Sequence, residues 1–270
     1  MVELLLLHGA AIDAVNNDKE CALHLAALLG YHEICTFLLD AGASIHVVDK
    51  DGNTPLHYAV KNDESEMADL LLSRGAAINS VNNDRCSALH MAVCQQYMQC
   101  VRVLLRYHCD VNLQNLDGNT ALHELLDDPV STRKVKLDII DALCSSGRVD
   151  FTLRNEFGCN ILHIAALRGN ADAMERLVTH AHHLVDVQME DGNAALHLAA
   201  SKGHREVAAI LLSQNGGRAK VDLRNNLGQT PLCLAALHKH WPLVELLAHQ
   251  KIANFDETNM CKICMERRRN

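Results

Sequence analysis

The stretch Asp49-Lys50-Asp51-Gly52-Asn53-Thr54-Pro55-Leu56-His57-Tyr58-Ala59-Val60 decides the reading of the whole chain. Asp51-Gly52 supplies a tight turn, because glycine accepts a positive φ without a Cβ penalty. Thr54 caps a helix through its hydroxyl, and Pro55 at the first helical position gives up no useful N–H. Leu56 then faces a core, and His57 offers one ring donor and one acceptor to nearby backbone. The unit returns as a Leu-His pair at Leu23-His24, Leu56-His57, Leu89-His90, Leu122-His123, Leu162-His163 and Leu196-His197, and a last copy reads Leu232-Cys233. The histidines are 33, 33, 33, 40 and 34 residues apart, and Cys233 follows 36 residues after the last.

A period near 33 with a T-P-L-H-x-A-like core resembles the ankyrin repeat over roughly residues 1–255. That resemblance implies an all-α ankyrin-repeat solenoid, helix pairs joined by β-hairpin-like turns, with no single repeat stable alone. About seven repeats are expected, near 16–48, 49–81, 82–114, 115–154, 155–188, 189–224 and 225–255, before a tail over 256–270. Met1–Val15 aligns with the second half of a repeat, Val2–Ala10 matching Ile34–Gly42, so the array opens on a half repeat. Its apolar Leu4–Leu7 run sits where a terminal repeat carries a polar outer side. Either the chain is a piece of a longer protein, or an unusual cap covers that run.

Composition narrows the class. Apolar residues make up 49% of the 270 and aromatics only 3%, which suits Leu/Ala-packed helix pairs. The formal charge of −8 argues against nucleic acid or an anionic membrane as main partner and leaves protein as the default. The 11 cysteines lack a disulfide-framework spacing, and Cys35, Cys94 and Cys100 fall at helical core positions. Buried, reduced thiols in a cytoplasmic or nuclear protein are the expectation. No apolar run approaches the ~20 residues of a membrane span, and Leu4–Leu7 has no basic flank that would make it a signal peptide.

Local departures give further expectations. Lys19 and Arg85 replace the turn glycine, so they either take a positive φ at a cost of about 1 kcal/mol or the turn changes type. The fourth repeat carries about seven extra residues near Asp127-Asp-Pro-Val-Ser-Thr-Arg133, read as a loop lengthening the link between its two helices. Shorter extensions near His180-Ala-His-His183 and Asn215-Gly-Gly-Arg218 are placed after second helices.

The repeats show no catalytic motif. No phosphate loop, H-E-x-x-H helix or G-x-S-x-G elbow is present. The six repeat histidines are read as ties between neighbouring hairpins, and His180, His182, His183, His238 and His240 as surface residues. The tail holds Cys261-Lys-Ile-Cys264, two thiolates that can grip one zinc on a tight turn, whereas a closed structural site needs four ligands. Cys-Lys-Ile-Cys-Met-Glu resembles the opening of a RING finger, and a RING behind such an array resembles the mind bomb-type E3 ubiquitin ligases. The runs Asn160–Asn170 and Val187–Ala200 are similar to that family too. Its later RING ligands and amino-terminal recognition modules are absent from these residues, so ligase catalysis is not expected within them. Leu105–Asn112 resembles the segment that asparaginyl hydroxylases modify in many ankyrin repeats, which marks Asn112 as a candidate for hydroxylation.

Carried over repeat by repeat, the ankyrin family's partner-contacting positions fall on hairpin tips and first helices. The candidates are Leu28, Leu29, Lys50, Asp51, Asn53, Lys61, Leu116, Glu156, Phe157, Leu167, Arg168, Glu190, Asp191 and Leu237. The same carry-over falls on Glu20, and Leu227 also stands where a solvent-facing residue is expected. Two functions remain open. The first is a non-catalytic scaffold of a RING ligase similar to mind bomb, and so linked to Notch-ligand ubiquitination. In that case Cys261 and Cys264 are zinc ligands and a missing RING engages the ubiquitin-conjugating enzyme. The second is a self-contained ankyrin adaptor or inhibitor without a ubiquitin role. Neither requires a cofactor in the repeats.

Overall fold

A computed structural model describes residues 8–127, 133–213 and 218–252. The chain divides into two compact units, Met1–Asp150 and Phe151–Asn270. All regular elements among the described residues are helical, and one isolated bridge, Val81 to Ser87, is the only β pairing there.

In the first unit the helices are α1 (Ala22–Leu28), α2 (His32–Asp40), α3 (Pro55–Lys61), α4 (Ser65–Ser73), α5 (Ala88–Cys94), α6 (Met98–Arg106), α7 (Ala121–Asp127) and α8 (Arg133–Ser145). The first helices stack as α1, α3, α5, α7, the second as α4, α6, α8, and each first helix packs on its own second helix. Leu23, Leu56, Leu71, Leu104, Leu125 and Ile139 are fully buried between these layers. In the second unit α9 (Ile161–Arg168), α10 (Ala171–Ala181), α11 (Ala195–Lys202), α12 (Arg205–Leu212) and α13 (Pro231–Leu237) repeat the arrangement, with a further helix, α14, over 241–252.

The local signals act as the sequence suggests. Thr54 is the N-cap of α3 and Pro55 its first residue. Six of the seven tips are Asx-stabilised turns, the exception having Met189 at the first position: Asp49 Oδ1 accepts from the N–H groups of Asp51 and Asn53, and the Asp49 N–H donates to the Asn53 carbonyl. Asn16, Asn82, Asn115, Asn155 and Asn225 repeat this pattern, satisfying the turn backbone without a sheet ladder. Lys19 and Arg85 keep the turn type and take φ of 60° and 58°. Arg85→Gly is therefore expected to raise the chain's stability by about 1 kcal/mol, read as an increased urea midpoint.

Three expectations need correcting. The extra length of the fourth repeat is partly helix rather than loop, since α8 has 13 residues where α4 and α6 have 9. Asp127 and Arg133 end and begin helices, and 128–132 lie outside the described residues. Near His180 the added residues extend α10 to Ala181 and form a 3-10 turn, His182–Leu184. Cys94 is exposed at the end of α5, whereas Cys35 and Cys100 are buried as expected.

All nine described cysteines are free thiols. Burial pushes Cys35, Cys109 and Cys144 up to about 11 and Cys100 up to about 12. Exposed Cys233 is shifted the other way, its sulfur accepting from the Thr230 hydroxyl at 3.3 Å. With Cys261 and Cys264 changed to serine, Ellman's reagent is expected to modify Cys94 and Cys233 first. The six buried thiols should react only when denaturant is added. Early reaction of those six would show that the core opens far more readily than its packing implies.

Candidate protein-binding surface

The repeat histidines set the geometry of the tips. His57 sits at the third position of α3, where a capping box ordinarily has Glu or Gln. Its Nδ1 accepts from the Thr54 N–H at 3.1 Å, so its Nε2 carries the proton and donates to the Cys86 carbonyl of the next hairpin at 3.1 Å. Only the neutral ring can make both bonds. His24 reaches Asn53, His90 reaches Asn119, His163 reaches Val187 and His197 reaches Gln229 in the same way. Burial pulls all five below the ordinary histidine range, to about 4 for His57 and His163. These rings fasten each hairpin to the next.

A second histidine series escaped the sequence reading. His204 Nε2 donates to the Leu167 carbonyl and His240 Nε2 to the Ser201 carbonyl, so His240 is structural and not simply a surface residue. Each ring lies where a Cβ on Gly169 or Gly203 would stand, 2.4 and 2.5 Å from its nearest ring atom. The signal available was the pairing of an inter-helix glycine with a histidine one repeat later. His180 stacks on Phe151, and His182 meets His183 edge-on. No group of three or more metal-ligating side chains occurs among the described residues.

The tips are fastened directly as well. Lys50 N–H donates to Asp18 O, Asn83 N–H to Asp51 O and Leu116 N–H to Asp84 O in the first unit. In the second unit the Asn226 N–H donates to Asp191 O, and Asn226 Nδ2 to Glu190 O at 2.7 Å. Of the candidate contact residues, Lys50, Asp51 and Leu116 therefore share one row of tips, and Glu156, Phe157, Glu190 and Asp191 another. All seven are exposed. Lys50 pairs with Asp18 at 2.7 Å, an exposed ion pair of small energetic worth.

Other candidates lie at the ends of first helices or inside turns. Leu29, Lys61, Arg168 and Leu237 are exposed there, while Leu28 and Leu167 are half-buried. Asn53 is held within the turn, its side-chain Nδ2 donating to Asp49 Oδ2 and its Oδ1 accepting from Asn82 Nδ2. Glu20, also carried over from the family, accepts from the Tyr58 hydroxyl at 2.6 Å, a hydroxyl that lies 2.9 Å from Asp49 as well. Trp241, 60% exposed at the start of α14, is a large apolar surface group that the sequence pattern did not mark.

Asn112 bridges backbone: Nδ2 donates to the Arg148 carbonyl at 2.9 Å, and Oδ1 accepts from the Asp150 N–H at 2.8 Å. Asn79 makes the equivalent bond to the Asp110 N–H one repeat earlier. Cys261 and Cys264 lie outside the described residues. As donors they are half of a tetrahedral set. No described helix is long and apolar enough to cross a membrane.

Comparison with known proteins gives the same repeat. A family model described as "Ankyrin repeats (3 copies)" matches residues 1–82, 130–223 and 183–259, and one described as "Ankyrin repeats (many copies)" matches 71–125. The ankyrin domain of Bcl-3 superposes with a TM-score of 0.69 at 24% identity, covering 81% of this chain and 95% of that one. Among curated proteins, the probable E3 ubiquitin-protein ligase XBOS33 of Oryza sativa is 44% identical over 55 residues, 20% of this chain and 10% of its own length. The Arabidopsis thaliana E3 ubiquitin-protein ligase XBAT33 is 47% identical over 55 residues, again 20% of this chain and a tenth of that protein. The bovine SMC5-SMC6 complex localization factor protein 1 is 30% identical over 97 residues, 36% of this chain and 9% of its length. The chain thus spans only about a tenth of these relatives. Its profile matches, repeat geometry and fold neighbour agree, and the chain belongs to the ankyrin-repeat family.

Proposed function

We propose that this chain is the non-catalytic, protein-binding array of a RING-type E3 ubiquitin ligase similar to the mind bomb type, acting in the cytoplasm on Notch ligands. Ankyrin repeats generally bind protein partners, and the exposed tips and helix ends offer such a partner apolar groups beside charge. The observation that carries the ligase reading is Cys261-Lys-Ile-Cys264 placed directly behind the repeats. The names of XBOS33 and XBAT33 support it over their short matches. When bound, zinc supplies structure only, and catalysis belongs to the RING that holds a ubiquitin-charged conjugating enzyme. This chain's part is to hold the protein that is to be modified or that regulates modification.

The second reading, a self-contained adaptor, is favoured by the match to SMC5-SMC6 complex localization factor protein 1, whose name carries no ligase. The transcript running past Asn270 decides between them. A C-x-H-x-x-C-x-x-C and a further C-x-x-C within about fifty codons, which with Cys261 and Cys264 complete two four-ligand zinc sites, support the ligase. A stop codon after Asn270 supports the adaptor. For the surface itself, Phe157→Ala with Arg168→Glu is expected to weaken a purified partner at least tenfold, about 1.4 kcal/mol, with the urea midpoint unchanged. Unaltered binding, or a large drop in the midpoint, would remove these residues from the interface.

A further inference from the structure

The second unit carries three consecutive tips, two of which differ from those of the first unit at the third turn position. In the first unit the third tip position is acidic throughout, at Asp18, Asp51, Asp84 and Asp117. In the second unit the same position reads Phe157, Asp191, Leu227. Phe157 is 75% exposed and Leu227 81%, the two most exposed large apolar side chains among the described residues.

These tips stand side by side. A Cβ at Gly158 would lie 3.8 Å from Glu190 Cγ, and the Asp191 carbonyl accepts from the Asn226 N–H at 3.0 Å. The strip is therefore continuous: a phenyl ring, then the carboxylates of Glu190 and Asp191, then an isobutyl group. Glu156 adds a third exposed carboxylate beside the ring. Arg154 Nη1 donates to the Gln188 carbonyl and Arg224 Nη1 to the Gly228 carbonyl, which holds both guanidinium groups against the turn backbone and sets three carboxylates against two cations. The charge that the strip itself presents is negative. Holding Phe157 and Leu227 in water gives up the burial each would gain against a partner.

We infer that the strip Phe157–Asp191–Leu227 docks an extended peptide segment bearing two apolar side chains about six residues apart with a Lys or Arg between them. The spacing follows from repeat geometry. Helix layers lie about 10 Å apart, so two layers separate the apolar tips by about 20 Å, which an extended chain covers in about six residues at ~3.3 Å each. The cation, two residues from one anchor and four from the other so that it shares their face of the extended chain, meets Glu190 and Asp191 while the flanking side chains cover Phe157 and Leu227. The inference rests on the protein-binding reading above and is independent of the ligase parentage.

The test is a randomised twelve-residue peptide library displayed on phage and panned against the full chain. Enriched sequences are expected to share two apolar residues five to seven apart with an intervening base. A synthetic copy should lose at least tenfold affinity to Phe157→Ser or Leu227→Ser, and a similar factor to Glu190→Lys. Circular dichroism of each variant checks that the fold is kept, and Val15→Ser in the other unit, an exposed position outside the candidate surface, serves as a substitution that should leave affinity unchanged. Enrichment of acidic peptides, affinity indifferent to all three substitutions, or no enrichment would each overturn the proposal. Peptides that bind but respond only to Arg168→Glu would overturn it while leaving the broader protein-binding function standing.

Discussion

Gly192→Ala is expected to cost about 3 kcal/mol of stability, of which about 1 comes from backbone strain and the rest from overpacking. Gly192 has a φ of 80°, a region that an L side chain enters only with strain. A Cβ added there would stand 2.5 Å from the backbone nitrogen of Asn226 and 2.9 Å from the carbonyl carbon of Asn225. Neither atom can rotate away, because the Asn226 N–H is bonded to the Asp191 carbonyl. Two adjacent tips must separate, and that bond breaks with them. Gly228 is the internal control. Its φ is 73°, yet nothing lies within 4 Å of its ideal Cβ, so Gly228→Ala should cost only the strain, about 1 kcal/mol. Urea titrations of the two variants measure both values. Equal losses would mean that backbone conformation alone sets the cost and that the tips are not in tight contact.

Lowering the pH from 7 to 5 should destabilise the folded chain by about 4 kcal/mol from His57 and His163 alone, roughly 2 for each. Burial holds both rings at about 4 in the folded chain, whereas in the unfolded chain they return to the ordinary value of 6.5. The unfolded state therefore takes up protons that the folded state refuses. The stability these two contribute is complete above pH 6.5 and is lost progressively as the pH falls toward 4. His24, His90 and His197 are shifted in the same direction and add to the loss. The chemistry agrees with the titration, since a protonated Nδ1 cannot accept from the N–H at the start of its helix. Asp49 is shifted downward and so loses its contribution only at more acid pH, which separates the two windows. Unfolding by urea at half-unit steps from pH 7.5 to 5 provides the curve. His57→Gln with His163→Gln should be less stable at pH 7 yet fall less on acidification, and a slope equal to that of the parent would refute the assignment.

Much of this fold was legible because one repeat carries every signal several times. Thr54, Pro55 and His57 each specify a local feature, and the copies at Ser87, Thr120 and Asn160 confirm that a helix begins at each. The positive φ at Lys19 and Arg85 could be read by aligning them with Gly52. Departures from the period were harder. The insertion in the fourth repeat holds Asp-Pro, a loop signal, yet the residues after Arg133 have apolar spacing suited to the longer α8 that they form. His240 looked like a surface residue because its partner, the Ser201 carbonyl, lies 39 residues away and leaves no mark in the linear pattern. Glu20 was assigned to the binding surface by its place in the repeat, and the bond it accepts from the Tyr58 hydroxyl, 38 residues on, leaves no mark in that pattern. Exposure at Phe157 and Leu227 could be inferred from tip position, whereas what binds them is a property of another molecule.

Neighbouring tips are held by backbone atoms: carbonyls of Asp18, Asp51, Asp84 and Asp191 receive N–H groups of Lys50, Asn83, Leu116 and Asn226. Those bonds do not depend on which side chain projects from the same residue. Lys50, Asn83 and Leu116 differ in charge, polarity and size, yet each makes the same link. Mutation can thus rewrite the outward side chains one at a time with little penalty to the stack, provided the glycines and fastening histidines stay. An ancestral array with this construction could have drifted from one partner to another through a long series of folded intermediates.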